Sequence, residues 1–424
     1  MTVNKNIPKH WQVRKLGEVC EIIMGQSPPS TTYNFNGIGL PFFQGKAEFT
    51  ELYPVVEKWC SAPNKISLPN DVLLSVRAPV GTTNIANQKC CIGRGLAAIR
   101  YENYKYIFYF LRSIKQQLDK KGTGTTFRAI SGETIRSTEI PLPPLPEQRA
   151  IVSKIEELLS DLDNGKQQLL TAQQQLKVYR QSLLKWAFEG KLTASWRESQ
   201  KQNKNNNLAM AAEPEENYGE NGELPEGWKW VELGDVCSNV EYGSAIKSKK
   251  TGKVPVLRMG NIQKGRFDWD DLVFTDDDFE IKKYLLKKND VLFNRTNSAE
   301  WVGKTAIYKG ERPAIFAGYL IRINRFEKLI DADYLTYYLN THAAKQYGNS
   351  VRSFGVNQSN INGTKLKTYP IPLPLLEEQQ LIVDKLESKL TVCDKIEETI
   401  AQSLLQAETL RQSILKRAFE GRLV

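Results

Sequence analysis

The chain holds two histidines, His10 and His342, in 424 residues. That leaves little material for histidine acid–base catalysis or a His-rich metal centre. Six cysteines form no CxxC pair and no metal-ligand spacing. Cys20 and Cys237 fall at matching repeat positions and Cys90–Cys91 are neighbours, as expected of buried thiols in a reducing compartment. No apolar run approaches the roughly 20 residues of a membrane helix, and the opening MTVNKNIPKHWQ lacks the apolar stretch of a secretory signal. A cytoplasmic location is expected. There is no GxxxxGK[ST] phosphate loop, no GxGxxG after a strand and no Asn-Pro-Pro-aromatic tetrapeptide of a methyltransferase. No carboxylate pair stands beside a lysine as in a nuclease. Ser27-Pro28-Pro29-Ser30 has the prolines without the flanks, and GTGTT at 122–126 is too poor in glycine to cradle a dinucleotide. No catalytic centre is legible in a chain otherwise easy to read.

What is present is present twice. Residues 180–192, RQSLLKWAFEGKL, return as 411–423, RQSILKRAFEGRL, identical at ten of thirteen positions. Residues 140–156, IPLPPLPEQRAIVSKIE, return as 371–387, IPLPLLEEQQLIVDKLE, with eleven of seventeen matching. Both offsets are 231, so nothing is inserted between the two blocks, and a length held that rigidly suggests a spacer. Residues 8–20, PKHWQVRKLGEVC, align with 225–237, PEGWKWVELGDVC, at an offset of 217. NDVLLSVRAPVG at 70–81 echoes NDVLFNRTNSAEWVG at 289–303. The offset therefore changes only inside the segments between the blocks.

Charge follows the same division. The net charge is +10. Residues 1–146 carry 18 Lys/Arg against 10 Asp/Glu and residues 224–376 carry 23 against 17, whereas 147–190 are balanced at 6 each and 377–424 carry 7 against 9. Two basic segments separated by neutral or acidic blocks fit a polyanion that meets the segments only.

The blocks read as helices with a 4,3 heptad step. One runs Ile151, Ile155, Leu158, Leu162 through Leu169, Leu176 and Leu183; the other runs Ile382, Leu386, Cys393, Ile396, Ile400 through Leu410 and Ile414. Gly165, Lys389 and Ser403 weaken the stripe. Pro146 and Pro374 precede the helices, Glu147, Glu377 and Glu378 lie at their positive ends, and Gly190 and Gly421 cap them. About forty residues give rods of about 60 Å. Packing one rod on the other within the chain buries both stripes; a coiled coil joining two chains does so too.

The expected organisation is therefore a basic domain over 1–146, a spacer helix over 147–192, a polar linker over 193–223, a second basic domain over 224–376 and a second spacer helix over 377–424. The fold class is α+β or α/β: two similar globular domains separated by two long helices that form an intramolecular antiparallel coiled coil, with a pseudo-two-fold repeat. YENYKYIFYFLRSIKQQL and DADYLTYYLNTHAAKQY each read as one amphipathic helix, and VPVLRMGNI and DVLFNRT as strands. The stretch 197–223 is polar and reads as a flexible linker.

Loops of the basic domains carry residues suited to base edges and phosphates. The candidates are Lys46, Arg77, Thr125, Thr126 and Arg128 in the first domain, and Lys249, Lys250, Arg258, Asn261, Arg295, Asn297 and Lys304 in the second. The loop Gly355–Asn360 has the same character. On the helices, Leu158, Leu169, Leu176, Leu183, Phe188, Ile396, Ile400, Leu410, Ile414 and Phe419 are the candidates for spacer packing and partner docking.

With those motifs in view, the whole chain resembles the specificity subunit of a type I restriction–modification enzyme. NRTNSAEWVGKTAI and GTTFRAISGETIRSTEIPLP are further family-like stretches. The resemblance implies two target-recognition domains, each reading half of a split, asymmetric DNA site, with the helices setting their separation in a bacterial or archaeal cytoplasm. It implies no cofactor bound by this chain and no catalysis of its own. Its partners would be double-stranded DNA, two modification subunits that methylate adenine with S-adenosylmethionine, and restriction subunits that use ATP and Mg²⁺. Trp186 against Arg417 breaks the symmetry of the twin motifs, so the two helix ends need not make equal contacts. Two other readings stay open: a homodimeric coiled-coil DNA-binding regulator, and a methyltransferase or nuclease with degenerate motifs.

Overall fold

A computed structural model describes residues 7–123, 128–205, 224–298, 301–354 and 359–424. The chain divides into two units, Met1–Thr171 with Ile400–Val424, and Ala172–Thr399. Each of the long helices, Leu145–Phe188 and Leu376–Phe419, gives its first part to one unit and its last part to the other.

Unit 1 is organised by a four-stranded antiparallel sheet in the order Glu21–Met24, Leu96–Arg100, Val72–Ser75, Thr83–Ile85. Its strands are apolar on both faces because both faces are covered. Side chains alternate across a strand, so Val72, Leu74, Ala97 and Ile99 enter one core while Leu73, Leu96 and Ala98 enter another. The first core is closed by the helix Tyr104–Ser113 and by both long helices. The second lies against a five-stranded sheet of short strands in which Leu40–Phe43 runs parallel to Cys90–Ile92. All six cysteines are free and buried, and burial pushes the thiols of Cys20 and Cys90 up to about 12.

Unit 2 repeats the plan. Its sheet runs Cys237–Tyr242, Leu320–Arg325, Val291–Asn294, Thr305–Ile307. Val291, Phe293, Ile321 and Ile323 face the helical core, and Leu292 and Leu320 face the other. An arginine ties each sheet. Arg100 bonds Asp71 at 2.8 and 2.9 Å and Glu21 at 2.7 Å; Arg322 bonds Glu241 and, at 3.1 Å, Asp290.

The start of each long helix shows why the EQ pair of the repeated block matters. Gln148 donates to the Pro143 carbonyl at 2.9 Å and Gln379 to Pro374 at 3.0 Å. Trp11 donates its indole N–H to Glu147 at 2.9 Å, and Trp228 to Glu378 at 3.0 Å. Tyr106 and Tyr334 donate to the carbonyls of Pro141 and Pro372, each at 2.7 Å.

The end of each long helix belongs to the other unit's core. Phe419 stands edge-on to Tyr106 and Phe110 at 5.1 and 5.4 Å between centroids, and Phe188 to Tyr334 and Tyr338 at 5.1 and 5.2 Å. Gly190 and Gly421 follow at φ 72° and 69°, and a Cβ at either would collide with Pro225 or Pro8. Within unit 1 the helices run antiparallel, with Arg411 paired to Asp163; within unit 2 Arg180 meets Asp394 at 2.6 Å and Glu397 at 3.2 Å. Asp163 and Asp394, like Arg180 and Arg411, are 231 residues apart.

Four expectations need correction. The first spacer helix ends at Phe188, and a further helix, Ala194–Asn205, occupies the start of the supposed linker. Arg197 holds it in place by bonding Glu378, Thr193 at 3.0 Å and the Gly190 carbonyl at 2.7 Å. The late helices of each domain are two apiece, Tyr104–Ser113 with Lys115–Lys120 and Ala332–Leu339 with His342–Val351, because Ile114 and Thr341 leave helical geometry and Thr341 caps the new helix. The heptad stripe is not buried throughout: Leu159 rather than Leu158 reaches the core, and Ile396 and Leu410 are 44% and 51% exposed. A straight helix of 3.6 residues per turn drifts off a seven-residue repeat. No helix among the described residues is long and apolar enough to cross a membrane.

Phe419→Ala and Phe188→Ala should each cost about 3–5 kcal/mol, and each should act on one unit. In hydrogen exchange, the first should release residues 104–113 and the second 332–339. Equal release in both units by either variant would contradict separate locks.

Candidate nucleic-acid interface

Two candidates of unit 1, Arg77 and Arg128, come together where the end of the central sheet meets the segment before the helix Gly132–Arg136. The Ala78 N–H donates to the Arg128 carbonyl at 2.9 Å, and Ala129 bridges both Arg77 and Thr123. Arg77 and Arg128 thus project from neighbouring backbones, both exposed, with Arg128 3.6 Å from Asp119. Lys46 is exposed on the loop after Leu40–Phe43. Thr125 and Thr126 lie outside the described residues.

Unit 2 builds the same region into a small sheet of Thr296–Asn297, Ser359–Asn360 and Ser353–Phe354. Thr296 pairs with Asn360 and Asn297 with Ser359. The Ile361 N–H donates to the Arg295 carbonyl at 2.9 Å. Several polar atoms here are buried without a partner among the described residues: Asn294 Oδ1, Arg295 Nε, Thr296 Oγ1 and Asn360 Oδ1. Native interiors satisfy nearly all such atoms, so a cluster of exceptions needs a cause. The Arg295 guanidinium stacks over the Tyr242 ring at 4.9 Å, and Lys304 lies over Trp301 at 3.5 Å. Nothing in the sequence pointed to Tyr242, since a tyrosine at a strand end has no signature of its own.

Other candidates of unit 2 are engaged within the chain. Lys249 bonds Asp276 at 3.0 Å and holds its carboxyl below the usual range; Arg258 bonds Asp271 at 3.1 Å. Lys250 is exposed. Asn261 is turned inward and 3% exposed: its amide accepts from the Arg258 N–H at 2.9 Å and donates to the Asp268 and Asp271 carbonyls at 3.1 and 2.9 Å. It organises the loop rather than offering an edge to a ligand, which corrects its reading as a contact. Sequence charge counting could not separate Lys249 and Arg258 from Arg295, because the acids that pair them are 27 and 13 residues away.

The helix candidates divide as well. Leu183 and Phe188 belong to the core of unit 2 and Ile414 and Phe419 to that of unit 1, and Ile400 is buried as well, so these five pack inside the protein and their reading as docking residues is corrected. Leu158 and Leu176 are partly buried against those cores, and Leu169 is half-buried. Ile396 and Leu410, with Val178, Val392 and Leu405, remain exposed on the helix surfaces. No group of His, Cys, Asp and Glu among the described residues could hold a metal ion.

A family model described as the type I restriction modification DNA specificity domain matches residues 8–172 and again 225–406. The chain is 44% identical over 179 residues to a protein of Methanocaldococcus jannaschii described as the type I restriction enzyme MjaX specificity subunit, a match covering 40% of this chain and 42% of that one. It is 25% identical over 362 residues to the EcoKI specificity subunit of Escherichia coli K12, covering 81% and 72%. Its fold is similar to that of the HsdS subunit of Thermoanaerobacter tengcongensis, with a TM-score of 0.63 and 22% identity over the whole of both chains. A chain in a structure of type I R-M complex assembly gives 0.74 and 22% over 98% and 99%.

Asn261→Ala should lower the stability of unit 2 by about 1–3 kcal/mol, since it orphans an N–H and two carbonyls. A reduced urea midpoint with unchanged DNA sequence preference is the expected result.

Proposed function

The chain belongs to the family of type I restriction–modification DNA specificity subunits, and from that premise we propose that each unit reads one half of a bipartite, asymmetric DNA site and that the chain performs no catalysis itself. The observation that carries this reading is the double matched plan with diverged edges. Both units share the sheet order, the tryptophan–carboxylate bond and the phenylalanine lock. They differ at the strand ends, where Arg77 and Arg128 stand in one and Arg295, Thr296 and Asn360 in the other. Framework and readout are thereby separable, as two different half-sites require.

The long helices act as the ruler between half-sites and as the dock for two modification subunits. At 44 residues each, they are about 66 Å long, ample against one DNA turn of about 34 Å. Apolar side chains left exposed on them, Val178, Val392 and Leu405 among them, suit a protein partner. The assembled complex would methylate adenine with S-adenosylmethionine and, through restriction subunits, cleave with ATP and Mg²⁺. Antiparallel packing of the helices within each unit favours a coil closed in one chain over the homodimeric alternative.

Mapping methylated adenines in hosts with and without this gene, beside its modification subunits, tests the proposal. A split motif should appear only with the gene. Replacing residues 8–139 by the equivalent segment of a relative should change one half of that motif. A change in both halves would defeat the modular reading. Insertion of one turn in both long helices should alter the gap between the halves and leave their sequences intact.

A further inference from the structure

We infer that Arg295, braced on the Tyr242 ring, reads a guanine in the half-site of unit 2, and that unit 1 has no corresponding contact; this rests on the proposal that the units read DNA. Arg295 is half-buried, its Nε is shielded from solvent, and no hydrogen bond or ion pair reaches its guanidinium among the described residues. Drawing a cation even partly out of water is costly unless it is paired, so a position that does so with no partner among the described residues points to a ligand that completes it. The tyrosine ring lies under the guanidinium at 4.9 Å, and its hydroxyl is itself fixed, accepting from the Gly363 N–H at 2.8 Å. A stacked guanidinium is held flat with its outer N–H fork available.

The neighbours distinguish a base edge from a phosphate. A phosphate offers acceptors only. The Thr296 hydroxyl and the Asn360 amide, cross-strand partners beside Arg295, bring both donors and acceptors, and each has a buried oxygen without a partner. Base edges in the major groove present both kinds, and a planar arginine fork matches the N7 and O6 of guanine.

Unit 1 provides an internal control. Ile130 and Ile361 are 231 residues apart, and each donates its N–H at 2.9 Å to the carbonyl of the residue just after the central strand: Val76 in unit 1, Arg295 in unit 2. Val76 is 3% exposed and part of the apolar core. The same backbone position is thus core in one unit and, in the other, a tyrosine-stacked cation with no ion pair among the described residues.

The test uses the chain co-expressed with its modification subunits, with methylated adenines mapped genome-wide. Arg295→Ala should relax one guanine position, in one half of the motif only, by about tenfold or more in preference. Arg295→Lys keeps the charge but not the fork; it should leave the complex assembled and still relax that position. Tyr242→Leu should relax the same position, whereas Tyr242→Phe, which keeps the ring, should retain the guanine; this marks Tyr242 as a positioning residue. Uniformly weaker methylation with the motif intact and a salt slope reduced by about one would show a phosphate contact and overturn the inference. So would relaxation in the half read by unit 1. A wild-type chain that directs no split motif would instead overturn the reading on which the inference rests, and the inference with it.

Discussion

Each unit depends on a phenylalanine delivered by the long helix that follows the other domain. Phe419 closes the aromatic cluster of Tyr106 and Phe110, and Phe188 closes that of Tyr334 and Tyr338. Both rings are almost fully buried, at 7% and 8% exposure. Because aromatic side chains bury a large area each, neither core is complete without the last turn of a helix that begins in the other unit. The same turn must then stop: Gly190 and Gly421 adopt left-handed geometry where Pro225 and Pro8 leave no room for a Cβ. This explains why Ala-Phe-Glu-Gly is invariant between the two motifs while positions such as Trp186 and Arg417, on the exposed side, are not.

The opposite end of each helix is equally constrained. Glu147 and Glu378 accept from tryptophans, and the next residue, a glutamine in both copies, binds the proline carbonyl behind it. The two starts differ in one respect. His10 completes Glu147 at 2.9 Å, whereas Arg197, sent back from the short helix after Phe188, completes Glu378 and stacks on Trp228 at 5.8 Å. A stretch that composition presents as linker therefore begins as part of a helix start.

Much of this is legible in the sequence. The 231-residue offset, the Pro-x-x-x-Glu-Gln openings and the closing glycines identified two helices and their ends to within a few residues. The β-formers of DVLFNRT and VPVLRMGNI marked strands, which the structure places at Val291–Asn294 and Val254–Leu257. What was not legible followed from pairing at long range. Lys249 and Arg258 looked as available as Arg295 until Asp276 and Asp271 were found beside them. Asn261 looked like a base-reading amide until its three backbone partners appeared. The heptad stripe predicted one continuous seam, but the buried positions follow each unit's own core, leaving Ile396 and Leu410 exposed.

The sequence by itself determined the duplication, the two helices, the segregation of positive charge and the family. Those are properties of local order and spacing, and repetition preserves them. Tertiary structure alone decided which helix end completes which core and which cations meet carboxylates within the chain. It also decided that a strand-end valine in one unit corresponds to an arginine on a tyrosine in the other. Each of these turns on contacts between residues tens to hundreds of positions apart, whose geometry is set only when the sheets and helices close around a common core.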